Sequence, residues 1–249
     1  MAPVRAVLFD LGHTLWDYRP REQTRRYGVL RLRTRLAAAL NGAPPEPQAL
    51  DRELVAAVVR QIERWNSDEL EQPPSEELVR EALNAFGIAV AKDVLCELTA
   101  IFFGPETDIR IADPETLATI AELDQRGLAM GCVTNTITTE SGICETLRRL
   151  GLPRYLRSVV VSSAMGFRKP HASLFLRALE ELDVAPVETV FVGDRLTDDI
   201  GGAQAVGMRA VLTHEFRQET PDGTTPTPDA MIQRLSELPS VLDRFAGEP

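Results

Sequence analysis

The feature that most constrains the fold is one early strand pattern that stands apart from four later ones. The run Val4–Phe9 is short, mostly apolar and β-branched, and no comparable run follows until Leu128. The later runs are Leu128–Val133, Ser158–Ser162, Thr189–Val192 and Arg209–Thr213. Runs of this kind are typical of strands covered on both faces of a parallel sheet. The sequence therefore predicts one sheet whose first strand is separated from the others by a long insertion.

Helical patterns separate the later strands. Pro114–Arg126 follows a potential N-cap, Asp113, and ends before Gly127. Similar patterns cover Ser141–Leu150, Pro170–Leu182 and Asp199–Val206. Strands that alternate with helices of this length indicate an α/β fold with a Rossmann-like parallel sheet. The turn-rich segment Thr220–Pro228 predicts a loop before a final amphipathic helix, Asp229–Phe245.

The insertion after the first strand is helical in pattern throughout. Its predicted helices are Arg21–Leu40, Pro47–Trp65, Ser75–Phe86 and Lys92–Phe103. A crossover between strands needs far fewer residues. We therefore expect an all-helical cap domain, residues 17–107, inserted into a core formed by residues 1–16 and 108–249. Loops at the carboxyl ends of parallel strands border the ligand crevice, so an insertion there is placed to close over it.

Charge and composition exclude several classes of function. The 249 residues carry a net charge of -10, which disfavours a general nucleic-acid binder or a protein held on membranes by basic residues. No apolar run is long enough for a transmembrane helix, and the start lacks the layout of a signal peptide. The three cysteines lack any pairing or metal-binding motif, which predicts buried thiols and a reducing compartment. We expect a cytoplasmic monomer or homodimer.

Polar residues follow the predicted strands where these end. Asp10 follows the first, Thr134 and Asn135 the second, Lys169 lies beyond the third, and Asp194, Asp198 and Asp199 follow the fourth. Each alone has an ordinary explanation, a helix cap, a turn or a solvated lysine. Together they would meet in one crevice of a doubly wound sheet. Clustered carboxylates repel one another, and an all-oxygen ligand set fits Mg²⁺.

These groups, in this order, carry a resemblance to a known family. Asp10 with Thr14, then Thr134, then Lys169-Pro170, then Gly193-Asp194 with Asp199 resemble the four motifs of the haloacid dehalogenase (HAD) superfamily. The helical insertion after the first motif is similar to the α-helical cap of one of its classes. The resemblance implies a Mg²⁺-dependent hydrolase, a phosphatase that acts on a small phosphorylated metabolite.

The resemblance also implies a role for each motif residue. Asp10 would attack phosphorus and form an aspartyl-phosphate. Mg²⁺ would lie between Asp10, the main-chain carbonyl of Gly12 and Asp194, with Asp199 binding through water and Asp198 as its alternative. The phosphoryl oxygens would be held by Thr134 and Asn135, with His13 as a further substrate contact. Lys169 would neutralise charge on Asp10 and on the transferring group. Asp10, Thr134 and Lys169 are thus the expected catalytic residues.

Gly12 departs from the phosphatase pattern, which has a second Asp two residues after the nucleophile. That Asp acts as general acid and then base, a contribution of about 10²–10⁴ in rate. Its absence predicts a substrate with a good leaving group, a surrogate acid, or slow turnover. The candidate surrogates are His13, Asp17 and the cap. The simpler interpretations are a structural loop histidine for His13 and an N-cap of the first cap helix for Asp17.

Two alternative functions stay open at this point. One is a dehalogenase-like or phosphonate-cleaving hydrolase, for which the only cap lysine able to form a Schiff base is Lys92. The other is a catalytically weak binding or regulatory module that kept the fold. Within the predicted cap, Arg25, Arg26 and Trp65 are candidate substrate contacts, although each also suits an ordinary solvated or packing role.

Overall fold

The computed structural model describes residues 2–18, 22–40, 42–65, 69–104, 110–111 and 114–247. Its strands are β1 (Ala6–Phe9), β2 (Asp17–Tyr18), β3 (Arg110–Ile111), β4 (Ala129–Thr134), β5 (Ser158–Val161), β6 (Thr189–Gly193), β7 (Arg209–Thr213) and β8 (Ala230–Ile232). Its first helices are α1 (Glu22–Ala39), α2 (Pro47–Trp65), α3 (Ser75–Asn84), α4 (Lys92–Phe103) and α5 (Pro114–Gln125). The later ones are α6 (Glu140–Leu150), α7 (Ser162–Met165), α8 (Ala172–Leu182), α9 (Gly202–Ala205) and α10 (Leu238–Gly247).

Six strands form one parallel sheet in the order β5-β4-β1-β6-β7-β8. The chain builds outward from β1 to β4 and β5, then crosses back to β6 on the other side of β1. The strand order therefore reverses at β1, where open parallel sheets form a ligand crevice. Phe9 of β1 lies beside both Cys132 and Val192, so the residues after these strands share one edge.

The sheet is covered on both faces, which explains its continuous apolar runs. In β1, Val7 and Phe9 pack into an apolar cluster with side chains of α5, α6 and α10. Leu8 faces the opposite side and packs with α8 residues such as Phe175. The predicted Rossmann-like α/β class is confirmed.

Helices α1–α4 pack around a separate apolar cluster, which Ile137, after β4, also joins. It includes Leu32 and Leu36 of α1, Leu50 of α2, Val79 of α3 and Leu98 of α4. The antiparallel pair β2–β3 lies beside this segment, with Asp17 opposite Ile111. The domain boundaries at residues 16/17 and 107/108 stay predictions, the second of them within residues 105–109, which lie outside the described part of the chain.

The C-terminal region corrects the sequence prediction. Residues predicted to start the last helix at Asp229 form β8, an edge strand beside β7, and α10 begins at Leu238. The run Ala230–Ile232 is too short for its sequence to distinguish a helix from a strand, and pairing with β7 makes it a strand. The helix predicted over Asp199–Val206 is instead a π-helical turn, Leu196–Gly201, followed by α9.

Smaller differences concern helix starts, a membrane span and the thiols. The helix predicted from Pro170 begins at Ala172 with His171 as its N-cap, and the predicted cap Asp113 lies outside the described residues. Among the described residues, no helix combines the length and apolar character needed to cross a membrane. The expectation of buried thiols is wrong for Cys144, which is exposed, although Cys132 is buried.

Candidate active site

The carboxyl ends of β1, β4 and β6 place three motif residues together. Asp10 directly follows β1, and its N–H donates to the carbonyl of Val192 at 2.8 Å. Thr134 is the last residue of β4, and Asp194 directly follows β6. All three side chains are buried at the crevice predicted from the strand ends, because the parallel register brings these ends level.

Lys169 joins two of the carboxylates. Its Nζ donates to Asp10 Oδ1 and to Asp199 Oδ1, both at 2.6 Å, and the lysine is 1% exposed. Burial by itself lowers the pKa of Lys169, but the two carboxylates outweigh burial and hold this pKa above its ordinary value. The ammonium group is therefore charged at neutral pH and fixed beside the Asp10 carboxylate.

Asp199 is held in place by the backbone after β6. Its Oδ2 accepts hydrogen bonds from the N–H groups of Asp194 at 3.0 Å and Arg195 at 2.9 Å. A side chain at Gly193 would overlap the Asp199 carboxylate, so this close approach requires glycine. The π-helical turn thus aims Asp199 at Lys169.

Asp10, Asp194 and Asp199 form a buried acidic group that can hold a metal ion. Each offers a carboxylate oxygen, and these oxygens lie within 4.8 Å of one another. Burial raises the pKa of Asp10 to about 6 against the opposing charge of Lys169. Burial, then repulsion from Asp10 and Asp199, raises the pKa of Asp194 to about 8. A divalent cation would relieve this repulsion, and the all-oxygen donor set suits Mg²⁺.

Asp198 lines the same cavity but does not belong to this acidic group. It is only half-buried, and its carboxylate lies 3.5 Å from Asn135 Nδ2 and 3.9 Å from Arg168 Nη1. The acidic group therefore includes Asp199 and not Asp198, while a water-mediated metal contact of Asp199 stays a prediction.

Asn135 fixes the segment that carries Lys169. Its Oδ1 accepts the N–H of Lys169 at 2.7 Å, and its Nδ2 donates to the Lys169 carbonyl at 3.1 Å. The N-cap of α6 is Thr139, so capping by Thr134 or Asn135 is ruled out as their explanation. Because the Asn135 amide is engaged with Lys169, a phosphate contact from this residue would come from its backbone.

The loop after Asp10 brings Gly12, His13 and Tyr18 together. A Cβ atom at Gly12 would lie 2.6 Å from Tyr18 Oη. His13 has a left-handed backbone, φ 59°, and its ring meets that of Tyr18 edge-on at 5.3 Å. Burial, then Arg217, lowers the pKa of His13. Asp17 lies in β2 with its Oδ1 3.1 Å from His13 Nδ1, so the expectation that it caps α1 is wrong.

One cavity of about 500 Å³ contains all of these groups. The predicted site residues that line it are Asp10, Gly12, His13, Thr134, Asn135, Lys169, Asp194 and Asp199, together with Asp198, the alternative to Asp199. Thr14 is fully buried and is not among the lining residues. The structure thus brings the predicted set together in one cavity.

Sequence reasoning missed three arginines and one tyrosine that also line the cavity. Arg168 and Arg195 each adjoin a motif residue, which is a signal that the sequence offered. Arg217 and Tyr18 gave no such signal. Arg217 follows β7, and its Nη1 lies 2.9 Å from Asp194 Oδ2. These arginines offset part of the acidic charge inside the cavity.

The predicted cap contacts divide into three groups. Trp65 lines the cavity together with Ile62, both from α2. Arg26 is exposed on α1 and is not a lining residue, and the side chain of Arg25 lies outside the described part. Lys92 is exposed at the start of α4 and does not line the cavity either. A Schiff base from Lys92 therefore has no support in this structure.

Comparison with known proteins identifies the family of this chain. Residues 4–207 match the family described as haloacid dehalogenase-like hydrolase. The chain is 28% identical over 248 residues to a glyceraldehyde 3-phosphate phosphatase of Methanopyrus kandleri, covering 98% of this chain and 100% of the relative. It is 32% identical to a phosphoserine phosphatase of Thermus thermophilus, covering 94% and 90%. A 2-haloacid dehalogenase structure from Pseudomonas syringae pv. Tomato DC3000 superposes with a TM-score of 0.69 at 28% identity, covering 98% and 100%. The chain therefore belongs to the haloacid dehalogenase-like hydrolases.

Proposed function

We propose that this hydrolase is a Mg²⁺-dependent phosphatase that cleaves a small phosphorylated metabolite through an aspartyl-phosphate on Asp10. The observation that carries the proposal is the buried cluster in which Lys169 bonds both Asp10 and Asp199, next to Asp194. The relatives named as phosphatases of glyceraldehyde 3-phosphate and phosphoserine support the same reaction class.

In this mechanism the Asp10 carboxylate attacks phosphorus while the bond from phosphorus to the leaving oxygen breaks. Lys169 holds Asp10 Oδ1, which leaves the other carboxylate oxygen, Oδ2, as the proposed nucleophile. The ammonium group also offsets negative charge that would otherwise oppose a phosphate dianion. Asp10, Asp194 and the Gly12 carbonyl would hold Mg²⁺, which when bound shields the nucleophile from the negative phosphoryl group.

We propose that the phosphoryl oxygens bind at the end of β4. Thr134 supplies a buried side chain there, and the backbone beyond it at Asn135 opens into the same cavity. Arg195 and Arg217 line the cavity and can attract an anionic substrate despite the net charge of -10. The volume of about 500 Å³ suits a small metabolite.

We further propose that residues 17–107 act as a cap over a core of residues 1–16 and 108–249. Two observations support this division. Ile62 and Trp65 of α2 line the cavity, and helices α1–α4 share an apolar cluster to which the core adds Ile137. A cap in this place would exclude water and choose the substrate.

The alternative of a dehalogenase has one observation in its favour, the structural similarity to the 2-haloacid dehalogenase of Pseudomonas syringae. The acidic group of Asp10, Asp194 and Asp199 argues for the phosphatase, since three clustered carboxylates outnumber the two cations of the described chain that contact them, Lys169 and Arg217, and a divalent metal would balance the rest. A catalytically weak regulatory module would have no use for Lys169 held between two carboxylates.

The deciding experiment measures phosphate release from p-nitrophenyl phosphate and from the substrates that name the relatives, with MgCl₂ or with EDTA. We expect turnover only with Mg²⁺ and a loss to background in Asp10→Asn. Asp124→Asn, an exposed acid of α5, is the matched control and should keep wild-type activity. Chloride release from 2-chloropropionate without phosphatase activity would instead establish the dehalogenase. Activity on neither substrate class would favour the regulatory module.

A further inference from the structure

The space beside Gly12 is already occupied by another side chain. A Cβ atom at this residue would lie 2.6 Å from Tyr18 Oη and 3.4 Å from two carbons of the Tyr18 ring. Gly12 does not have the left-handed backbone that would require glycine for its own sake. A side chain at Gly12 would therefore meet no backbone barrier but would have to displace the Tyr18 hydroxyl.

Tyr18 reaches this place from the antiparallel pair β2–β3, where it lies opposite Arg110. Its side chain lines the same cavity as Asp10, Lys169 and Asp194. The hydroxyl thus lies where the side chain of the second residue after Asp10 would begin, the position whose acid this chain lacks.

We propose, on the basis of the phosphatase function above, that the Tyr18 hydroxyl replaces the missing acid and protonates the leaving oxygen. As Asp10 bonds to phosphorus and the bond to the leaving oxygen breaks, the phenol proton moves to that oxygen and the alcohol departs. The phenolate then takes a proton from the water whose oxygen attacks the phosphorus of the aspartyl-phosphate. This step releases hydrogen phosphate and restores both Asp10 and the Tyr18 hydroxyl.

The geometry favours Tyr18 over the other nearby acids. His13 Nδ1 lies 3.1 Å from Asp17 Oδ1, on the side of the ring that faces β2, whereas the Tyr18 hydroxyl lies at the place of the missing side chain itself. The His13 ring packs edge-on against Tyr18 and supports the phenol ring. His13 is accordingly a positioning residue in this arrangement.

A consequence concerns the substrate class. An enzyme with no acid at this place would be restricted to phosphates whose leaving group departs as a stable anion. With Tyr18 as donor, ordinary phosphate esters of alcohols become substrates, because their leaving oxygen is protonated as it departs.

The test compares two substrates that differ in leaving group but share a ring, phenyl phosphate and p-nitrophenyl phosphate. We expect Tyr18→Phe to lower kcat on phenyl phosphate by a factor of about 10²–10⁴. On p-nitrophenyl phosphate, whose leaving group needs no proton, the factor by which kcat falls should be at least ten times smaller. Tyr27→Phe, at an exposed tyrosine of α1, is the matched control and should leave both rates unchanged. Circular dichroism checks that each variant is folded.

The outcomes separate this proposal from the phosphatase function itself. Suppose that the wild type hydrolyses both substrates with Mg²⁺. If Tyr18→Phe then lowers kcat by the same factor on both substrates, or leaves kcat unchanged on both, the acid role of Tyr18 is refuted while the phosphatase function stands. If the wild type hydrolyses neither, the phosphatase function fails and the acid role of Tyr18 fails with it.

A second pair of variants tests whether residues 12 and 18 compete for one space. Gly12→Asp alone should lower the urea midpoint and give no gain on phenyl phosphate, because its side chain meets Tyr18 Oη. In the Tyr18→Phe background, Gly12→Asp should raise phenyl phosphate turnover at least ten-fold over Tyr18→Phe alone. An equal gain with Tyr18 present, or no gain in the double variant, would overturn the shared position.

Discussion

Lys169 shows how much one residue can be constrained by its neighbours. Only Lys92 and Lys169 are lysines among 27 basic residues, the rest being arginine. Lys169 is buried with its single nitrogen 2.6 Å from both Asp10 and Asp199. A compact ammonium group can bridge two carboxylates in this way, whereas a planar guanidinium needs more room and a different geometry.

Lys169→Arg should therefore impair the enzyme even though the charge is kept. Loss of a charge-assisted hydrogen bond costs about 1.5–3 kcal/mol, which corresponds to roughly a 10- to 100-fold drop in kcat/KM on p-nitrophenyl phosphate. Lys92→Arg is the matched control, since Lys92 is exposed on α4. Near-wild-type turnover by Lys169→Arg would show that the ammonium shape is not needed.

The raised pKa values of Asp10 and Asp194 predict how pH affects Mg²⁺ binding. Between the ordinary carboxyl pKa near 4 and about 8, the unfolded chain binds fewer protons at Asp194 than the folded one. Stability of the metal-free protein should therefore fall as pH rises through this interval. Mg²⁺ requires the ionised carboxylates, so its stabilising effect should grow over the same interval.

Melting curves with EDTA or MgCl₂ at pH 5.5, 7 and 8.5 measure this effect. At one fixed Mg²⁺ concentration, 100 times the Kd at pH 8.5, we expect about 2.7 kcal/mol of stabilisation at pH 8.5 and far less at pH 5.5, where the Kd is higher. Asp194→Asn should abolish most of the pH-dependent difference, whereas Asp124→Asn should not. A Mg²⁺ shift of the same size at every pH would contradict the assignment of these carboxylates as ligands.

At the scale of elements, the loop that carries Lys169 is tied to the linker between α2 and α3. The N–H of Arg168 donates to the Leu70 carbonyl, and the N–H of Gln72 to the Gly166 carbonyl, both at 2.9 Å. The Arg168 guanidinium donates to the carbonyls of Glu69 at 3.1 Å and Trp65 at 2.9 Å. The position of Lys169 thus depends on a segment far from it in the chain.

Arg168→Leu should keep the backbone bonds of this connection but remove the guanidinium bonds, which leaves two backbone carbonyls without their donor. We expect the free energy of unfolding to fall by about 1–3 kcal/mol, with lower phosphatase turnover because Lys169 adjoins the change. Urea unfolding and p-nitrophenyl phosphate assays measure both. Arg177→Leu removes an exposed ion pair on α8 and should cost less than about 1 kcal/mol. Equal costs for the two variants would show that the carbonyl contacts contribute little.

Elements also show where sequence patterns stop being informative. Long amphipathic helices such as α2 were predicted within a few residues, because their apolar period is repeated over several turns. The sequence places Ala230–Ile232 in the last helix, because three residues are too few to show a helical or a strand period. The segment is a strand because it pairs with the edge of β7. The π-helical turn after β6 places the Asp199 carboxylate where it accepts hydrogen bonds from Asp194, Arg195 and Lys169.

At the scale of the whole molecule, the proposed cap should close further when the nucleophile is phosphorylated. Mg²⁺ with beryllium fluoride mimics an aspartyl-phosphate, and we expect it to slow hydrogen exchange of the paired segments 69–72 and 166–168. The reason is that added charge beside Lys169 and the arginines draws both sides of the cavity together. Asp10→Asn should show no slowing, and unchanged exchange in the wild type would argue against a moving cap.

The sequence by itself determined the α/β class and the group of residues that meet at the site. These follow from apolar periodicity and from the parallel sheet, which brings strand ends together wherever they lie in the chain. The tertiary structure decided that Asp199 and not Asp198 joins the acidic group, and that Arg217 and Trp65 line the cavity. It also decided that Tyr18 fills the space beside Gly12. These contacts depend on loops and on packing between distant segments, which leave no periodic pattern in the sequence.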